Sequence, residues 1–191
     1  MSRKSRYYKW MVGGRPIYGW GEYVLDGDWQ RRVDGKLKAC QRGYHICAAD
    51  QVSEWCGTEL WEVEPEFKGL HRLQSKTLCR TWKAVRKLKW SKRDMIAYIR
   101  WCVSRVRAIA QRDCSTDKIA RLRWISEEAK TCLVTLRDPC TLNRVAGRAM
   151  LVMAHAADAA AHVAKGHRRA AYRAERLAQR RWIEQRIGVR L

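Results

Sequence analysis

The stretch at residues 38–67, KACQRGYHICAADQVSEWCGTELWEVEPEF, constrains the fold of this chain more than any other. It places three cysteines, one histidine and two tryptophans in thirty residues. Gly43 indicates a tight turn, Asp50 is the expected cap of a short helix, and Gly57 is the expected residue that closes it. The alternation in the segment LWEVE predicts a strand afterwards. The stretch therefore predicts strand, turn, short helix and strand, in that order.

Turns that contain glycine divide the residues before this stretch into β-prone segments. Gly-Gly and Asp-Gly pairs are typical of hairpin turns, and three such pairs occur before residue 38. The β-prone segments around them lie at residues 7–12, 15–25, 28–33 and 36–40. We therefore expect an antiparallel meander of about four strands in this part of the chain.

The basic and acidic residues are distributed unevenly along the chain. Residues 1–75 contain 12 Lys or Arg and 10 Asp or Glu, whereas residues 76–191 contain the remaining 28 and 9. The change in charge coincides with the point at which helical periodicity begins. We therefore expect a small antiparallel β-rich domain at residues 1–75 and a basic helical domain at residues 76–191.

A bundle of about five helices is expected in the second domain, which makes the predicted fold class α+β. The first helix is expected to begin near residue 76, and the second at the capping pair of Ser91 and Asp94. The alanine-dense segment at residues 141–165 predicts a fourth helix, and a fifth ends at Gly188. Small side chains let helix axes approach closely, so the last two helices are expected to form a tight antiparallel hairpin.

The formal net charge of +21 is far larger than solubility requires, and it indicates a polyanionic partner. No zinc-finger, homeodomain or RNA-recognition signature predicts sequence-specific reading of bases. We therefore expect largely non-specific binding to DNA, RNA or a nucleoprotein assembly. The alternative is an inhibitor that binds an acidic host or defence protein. The predicted nucleic-acid contacts are Lys83, Arg86, Lys87, Lys89, Lys92, Arg93, Arg100, Arg107, Arg169, Arg173, Arg176 and Arg180.

The last four of these arginines recur at the spacing of one helix face, i, i+4, i+7 and i+11. Arginine suits this role because its guanidinium group makes bidentate contacts with phosphate. We expect this stripe to face solvent, on the side of the helix opposite Ala171, Ala174 and Ala178. Replacing all four arginines by glutamine is then expected to preserve the fold.

The eight cysteines are expected to be reduced and mostly buried. Five of them fall singly along segments predicted to be helical, and the first ten residues, MSRKSRYYKW, contain no apolar run of signal-peptide type. The sequence contains no run of about 18 apolar residues, so no membrane span is predicted. These features favour a cytoplasmic protein.

The spacing of Cys40, His45, Cys47 and Cys56 does not favour a zinc site, because no Cys-x2–4-Cys pair is present. We expect the cysteines to be buried and the histidine to form a hydrogen bond with the turn. A Cys-His nucleophile pair is the other interpretation. No catalytic set, metal site or cofactor motif emerges from the sequence.

Two parts of the chain resemble phage proteins. The pattern C-x2-G-Y-H-x-C at residues 40–47, followed by a helix with tryptophan and the strand LWEVE, is similar to a small domain of unknown function in phage and prophage proteins. The alanine-dense helices with their Arg/Gln/Leu tail resemble the helical region of uncharacterised phage and immunity-protein-like sequences. Together the two resemblances cover most of residues 38–191 and imply an accessory protein of phage type in the cytoplasm of a bacterial host cell.

A more distant likeness concerns the ADP-ribosyltransferase core. A Gly-aromatic turn, a short helix and a strand such as LWEVE are similar to part of that core, and Glu62 and Glu64 imitate its acidic pair. The His-Gly-Thr and Ser-Thr-Ser elements of that class are not evident. We expect Trp61 and Val63 to be buried and the two glutamates to face water, as on an ordinary strand. An enzyme of this class is therefore a further alternative.

The cysteine pattern leads to the first testable prediction. Isolated core cysteines in a reducing compartment should leave eight free thiols in the denatured protein. Alkylation under denaturing conditions, followed by mass spectrometry, counts them directly. Two or more stable disulfides would contradict the cytoplasmic expectation.

Overall fold

The computed structural model describes residues 5–17, 21–112, 150–161 with gaps at 152, 155 and 159, and 167–191. Helical positions occur among residues 150–161, and the sheet and helices together confirm the α+β class. The named elements are β1 (Tyr7–Met11), β2 (Tyr44–Ala48), a 3-10 helix (Ala49–Glu54), β3 (Glu59–Pro65), β4 (His71–Arg72), β5 (Thr77–Cys79), β6 (Trp82–Lys87), α1 (Lys92–Arg112) and α2 (Arg168–Ile187).

The six strands form one antiparallel sheet in the order β4-β5-β2-β1-β3-β6. Strand β1 lies inside the sheet and pairs with β2 on one side and with β3 on the other. Its sequence YYKWM sends Tyr8 and Trp10 to one face and Tyr7 and Met11 to the opposite face, as the period of a pleated strand requires. Both faces of β1 are therefore covered by hydrophobic side chains.

The two helices cover the face of the sheet that contains Tyr8 and Trp10. Helix α1 buries Met95, Ile99 and Cys102 there, and α2 adds Ile183. Ion pairs between Asp94 and Arg186 and between Arg105 and Glu175 show that α1 and α2 run antiparallel.

The predicted ends of these helices are also confirmed. The backbone N–H of Ser91 donates to Asp94 Oδ2 over 2.9 Å, and the Asp94 N–H donates to Ser91 Oγ over 3.4 Å. Gly188 ends α2 with a φ of 69°, and its N–H donates to the Glu184 carbonyl over 3.0 Å.

The expected helix beginning near residue 76 is wrong, because these residues form β5 and β6. Leu78 and Trp82 lie on different strands, and Val85 is 53% exposed. In β6 the burial alternates, with Trp82 and Ala84 inside and Lys83 more exposed. The pairing of β5 with β2 and of β6 with β3 outweighs the helical periodicity of the local sequence.

The expected meander is also wrong for the residues that the structure describes. The turn at Gly13 forms, with paired hydrogen bonds between Val12 and Arg15, but residues 21–43 form only isolated bridges. Strands that come later in the chain occupy both edges of β1, so no neighbouring strand can pair with it. The 21–43 segment instead covers the second face of the sheet, where Tyr23 and Leu25 contact the core around Trp82.

The short helix is present, but it is a 3-10 helix with different ends from those expected. Asp50 forms an ion pair with Arg72 instead of a cap, and Gln51 Oε1 accepts a hydrogen bond from the Ala48 N–H over 3.0 Å. Gly57 is required for close approach rather than for a left-handed cap. A Cβ atom there would lie 2.5 Å from the Met11 carbonyl oxygen.

The division of the chain into domains at residue 75 stays a prediction. The change from strand to helix falls between Lys87 and Lys92, and one hydrophobic core joins side chains of β1 and β3 to side chains of α1 and α2. The number of helices and their arrangement as a bundle depend largely on residues 113–149, which lie outside the described part of the chain. The Gln179 side chain donates to the Met153 carbonyl over 3.0 Å, so α2 contacts the helical residues at 150–161.

The burial of the tryptophans leads to a prediction with a matched control. Trp82 is 0% exposed at the centre of the second core, whereas Trp29 is 47% exposed. Replacing Trp82 by alanine should lower the free energy of unfolding by about 3–5 kcal/mol. The same change at Trp29 should alter it by about 0.5 kcal/mol or less. Urea unfolding followed by circular dichroism measures both, and similar losses would contradict the described core.

Candidate functional site

Three of the predicted nucleic-acid contacts, Lys83, Arg86 and Lys87, lie on β6 and are already paired. Their partners are Glu64, Glu62 and Glu59 of β3, at N–O distances of 3.2, 2.7 and 2.7 Å. The antiparallel register places Glu62 opposite Arg86 and Glu64 opposite Lys83, so these ion pairs follow from the strand pairing.

The acidic pair on β3 is paired with basic side chains, and the expectation that both glutamates face water is wrong for Glu62, whose side chain is 16% exposed against 44% for Glu64. Glu62 contacts Arg86 and Arg6, and Glu64 contacts Lys83. Val63 is buried as expected, whereas Trp61 is only half-buried and donates its indole N–H to Glu59 over 3.2 Å. Neither Glu62 nor Glu64 lines either of the two cavities found in the described part of the chain.

Arg176 is a structural anchor and does not form part of an exposed stripe. It is 9% exposed, and its guanidinium group contacts the Glu54 carboxylate and the Ser53 carbonyl, each over 2.8 Å. It also lies over the ring of Tyr172. These contacts fix α2 against the 3-10 helix.

The expected solvent-facing stripe on α2 is therefore wrong in part. Arg169 and Arg173 are exposed, but Arg180 is half-buried and forms an ion pair with Glu184 over 3.0 Å. Ala174, expected on the buried side, is exposed. Helical spacing shows that the four arginines lie on one side of α2. It does not show that Arg176, on this side, faces Glu54 of the 3-10 helix.

The exposed arginines of α1 and α2 form the best candidate surface for a polyanion. We call Arg93, Arg100, Arg169, Arg173 and Arg181 the outer arginine face. None of them has an ion pair with an acidic residue in the described ranges. Both helices bury their inner sides in the same core, so these side chains point away from that core.

The three remaining predicted contacts are Lys89, Lys92 and Arg107. Lys89 is exposed, and Lys92 is half-buried at the beginning of α1. Neither forms an ion pair with a carboxylate in the described ranges. The side chain of Arg107 lies outside the described residues.

A cleft of about 490 Å³ forms around the Cys-x2-Gly-Tyr-His-x-Cys motif. We call it the lysine cleft, because two of its walls contain the buried residues Lys9 and Lys76. Its other polar and aromatic lining includes Tyr23, Tyr44, His45 and Trp55. A second basic cavity, lined by Lys36, Lys38 and Arg42, shares Gln41 with the cleft.

The histidine of the motif has a structural role, as expected. His45 Nε2 accepts a hydrogen bond from the backbone N–H of Cys40 over 3.3 Å. Burial, together with the charges of Lys76 and Lys9, lowers the pKa of His45 to about 4, so the ring is neutral at pH 7. The neutral ring can therefore accept this bond and hold the turn.

The cysteines of the motif differ in exposure. Cys47 and Cys56 are buried as expected, and burial raises the pKa of the Cys47 thiol to about 12. Cys40 is exposed, in contrast to the expectation, and adopts a φ of 61° at the mouth of the cleft. Lys76 Nζ lies 3.2 Å from its sulfur. Among the residues that the structure describes, no group of three or more His, Cys, Asp or Glu side chains is placed to hold a metal ion.

Lys9 is a candidate site residue that sequence reasoning missed. Its ammonium group donates to the His45 carbonyl over 2.6 Å and lies 4.9 Å from the centre of the Tyr23 ring. Burial lowers its pKa to about 8. The available signal was a lysine inside the apolar run YYKWM, at a position that faces a core.

Comparison with protein-family models, with curated proteins and with solved structures finds no match for this chain. In the described parts of the chain, no helix has both the length and the apolar character needed to cross a membrane.

The anchoring role of Arg176 can be tested against its exposed neighbour on α2. Arg176→Gln leaves the mostly buried Glu54 carboxylate without its charged partner, so it should lower the free energy of unfolding by about 3 kcal/mol. Arg173→Gln should change it by about 0.5 kcal/mol or less. Urea unfolding of the two variants provides the measurement. Equal stability of the two would show that Arg176 does not anchor α2.

Proposed function

We propose that this chain binds nucleic acid, alone or within a nucleoprotein assembly, and that the outer arginine face contacts phosphate without reading base sequence. The observation that carries the proposal is that the glutamates are already paired with other basic residues. Every glutamate in the described ranges forms an ion pair with a basic residue. Within the described ranges, no glutamate is therefore left as a counter-charge for the outer arginine face.

The chemistry of these side chains supports a phosphate partner. Exposed guanidinium groups on two adjacent antiparallel helices present fixed positive charges and planar donors, which suit phosphate oxygens. Contacts of this kind orient a protein on nucleic acid but carry no sequence information. The resemblance of the Cys40–Cys47 motif to phage proteins supports an accessory role in an infected bacterial cell.

The salt dependence of binding tests this proposal. Affinity for a short duplex should fall steeply between about 50 and 200 mM salt, with a slope of about −0.9 in log K against log salt for each phosphate contact. The variant with Arg93, Arg100, Arg173 and Arg181 all replaced by glutamine should flatten the slope by up to about 3–4 units. Duplexes of unrelated sequence should lose affinity equally. Fluorescence anisotropy gives both affinity and slope.

The matched control removes the same number of charges from paired positions. In this control Arg32, Lys83, Arg86 and Lys87, all of which form ion pairs, are replaced by glutamine. This control should retain most of the slope of log K against log salt that the parent shows. A larger effect in this control than in the outer-face variant would place the contact surface on the sheet. Absence of binding to DNA or RNA at low salt, together with salt-sensitive binding to an acidic protein, would favour the inhibitor alternative.

A further inference from the structure

Two buried lysines in the lysine cleft have no carboxylate partner among the described residues. Lys9 is 6% exposed and Lys76 is 9% exposed, and neither forms an ion pair with an acidic side chain there. Lysine is almost never buried without a counter-charge, because removal of an ammonium group from water is costly. The cleft therefore has two positive groups and, in its described lining, no carboxylate.

The neighbours of each lysine compensate only part of this cost. Lys9 Nζ donates to the His45 carbonyl and lies over the rings of Tyr23 and Trp82. Lys76 Nζ lies 3.2 Å from the Cys40 sulfur and 5.4 Å from the centre of the Trp55 ring. An ammonium group has three donors, so both lysines retain donors for a further acceptor. An anion in the cleft would provide that acceptor and the counter-charge.

The remaining walls of the cleft favour a planar ring on the same ligand. Trp55 and His45 lie with their ring centres 6.3 Å apart, and Tyr23 and Tyr44 form an edge-to-face pair at the same distance. The Tyr44 hydroxyl donates to the Arg31 carbonyl over 2.8 Å, which fixes the orientation of that ring. Aromatic walls bind flat, polarisable rings such as nucleobases. A volume of about 490 Å³ lies in the range of small-molecule sites.

We propose that the lysine cleft is a nucleotide-binding site, in which Lys9 and Lys76 contact a phosphate group and the aromatic walls contact the base. This proposal goes beyond the outer arginine face, because it concerns other residues and a ligand of defined size. The nucleotide is either a free nucleoside monophosphate or an unpaired nucleotide of a strand. Both sources present the same chemistry to the cleft.

Alkylation of Cys40 reports occupancy of the cleft without any assay of activity. Its thiol is exposed at the mouth, whereas Cys47, which also lines the cleft, is buried. Adenosine monophosphate should slow modification of Cys40 by iodoacetamide, as followed by peptide mass spectrometry. Adenosine alone and inorganic phosphate alone should protect at least tenfold less well at equal concentration, because each lacks one half of the contacts.

Calorimetric titration with adenosine monophosphate tests the two lysines. Lys76→Gln and Lys9→Met should each weaken binding tenfold or more, since each removes a charged hydrogen-bond donor. The matched control Lys68→Gln changes an exposed lysine outside the cleft and should leave the affinity unchanged. Because Lys9 is inside the fold, each variant is first compared with the parent by circular dichroism. If Lys9→Met fails to fold, the result for Lys76→Gln decides the test.

The dependence of affinity on pH provides an independent check on Lys9. With a pKa of about 8, its side chain is charged at pH 7 and loses its proton as the pH rises to about 9. The groups around it do not titrate in that interval, because the pKa of His45 is about 4 and those of Cys47 and Cys79 are about 12. Burial also raises the pKa of the Tyr23 hydroxyl above its usual value, so this group stays neutral in that interval. In a Cys40→Ser background, which removes the exposed thiol, the affinity for adenosine monophosphate should therefore fall as the pH rises from 7 to about 9. The additional change Lys9→Met should abolish this pH dependence.

Several outcomes would overturn the proposal. These are protection by phosphate as strong as that by the nucleotide, absence of any protection, and equal binding by Lys76→Gln and the parent. A short single strand that protects Cys40 and competes with the monophosphate identifies a strand as the source, and protection by the monophosphate alone identifies the free nucleotide. The variant lacking four outer arginines should still bind the monophosphate, so failure of the cleft and failure of the outer face can be distinguished.

Discussion

The fold depends on the burial of β1 from both sides. Tyr8 and Trp10 contact the core beneath the helices, while Met11 contacts the core beneath the 21–43 segment. A strand in this position needs a neighbour at each edge and a layer on each face, and four separate parts of the chain provide them. The two edges are formed by β2 and β3, which explains why the residues around Gly57 must approach the Met11 backbone so closely.

The same constraint produces the lysine cleft. Lys9 lies between two aromatic residues on β1, and the alternation of the strand directs it to the face covered by irregular chain rather than by helix. That cover contains Tyr23 and the turn at Cys40, so it leaves a cavity where regular packing would fill the space. A charged side chain was therefore placed in the interior by the register of a strand that is otherwise hydrophobic. The cost of its burial is the physical basis for expecting an anionic ligand.

The sequence predicted local features better than long-range ones. The capping pair at Ser91, the Gly188 end of α2 and the strand predicted at residues 60–64 depend on neighbouring residues, and each is present. The meander and the helix at residue 76 depended on which segments pair, and that is decided by residues far away in the chain. Arg176 shows the same limit at the proposed interface. Its spacing matched an exposed stripe, but its burial is set by Glu54, which lies on a different element.

The docking of α2 has a consequence for the order of synthesis. Strands β1 to β6 are complete by Lys87, but the face with Trp10, Leu60 and Trp90 receives Ile183 and Ile187 only after nearly the whole chain has emerged. At a synthesis rate of about 5–20 residues per second, that face waits for roughly 5–20 s after Trp90 is made. The nascent chain therefore exposes an incomplete aromatic surface during translation. Chaperone binding in this interval would protect it from aggregation until α2 arrives.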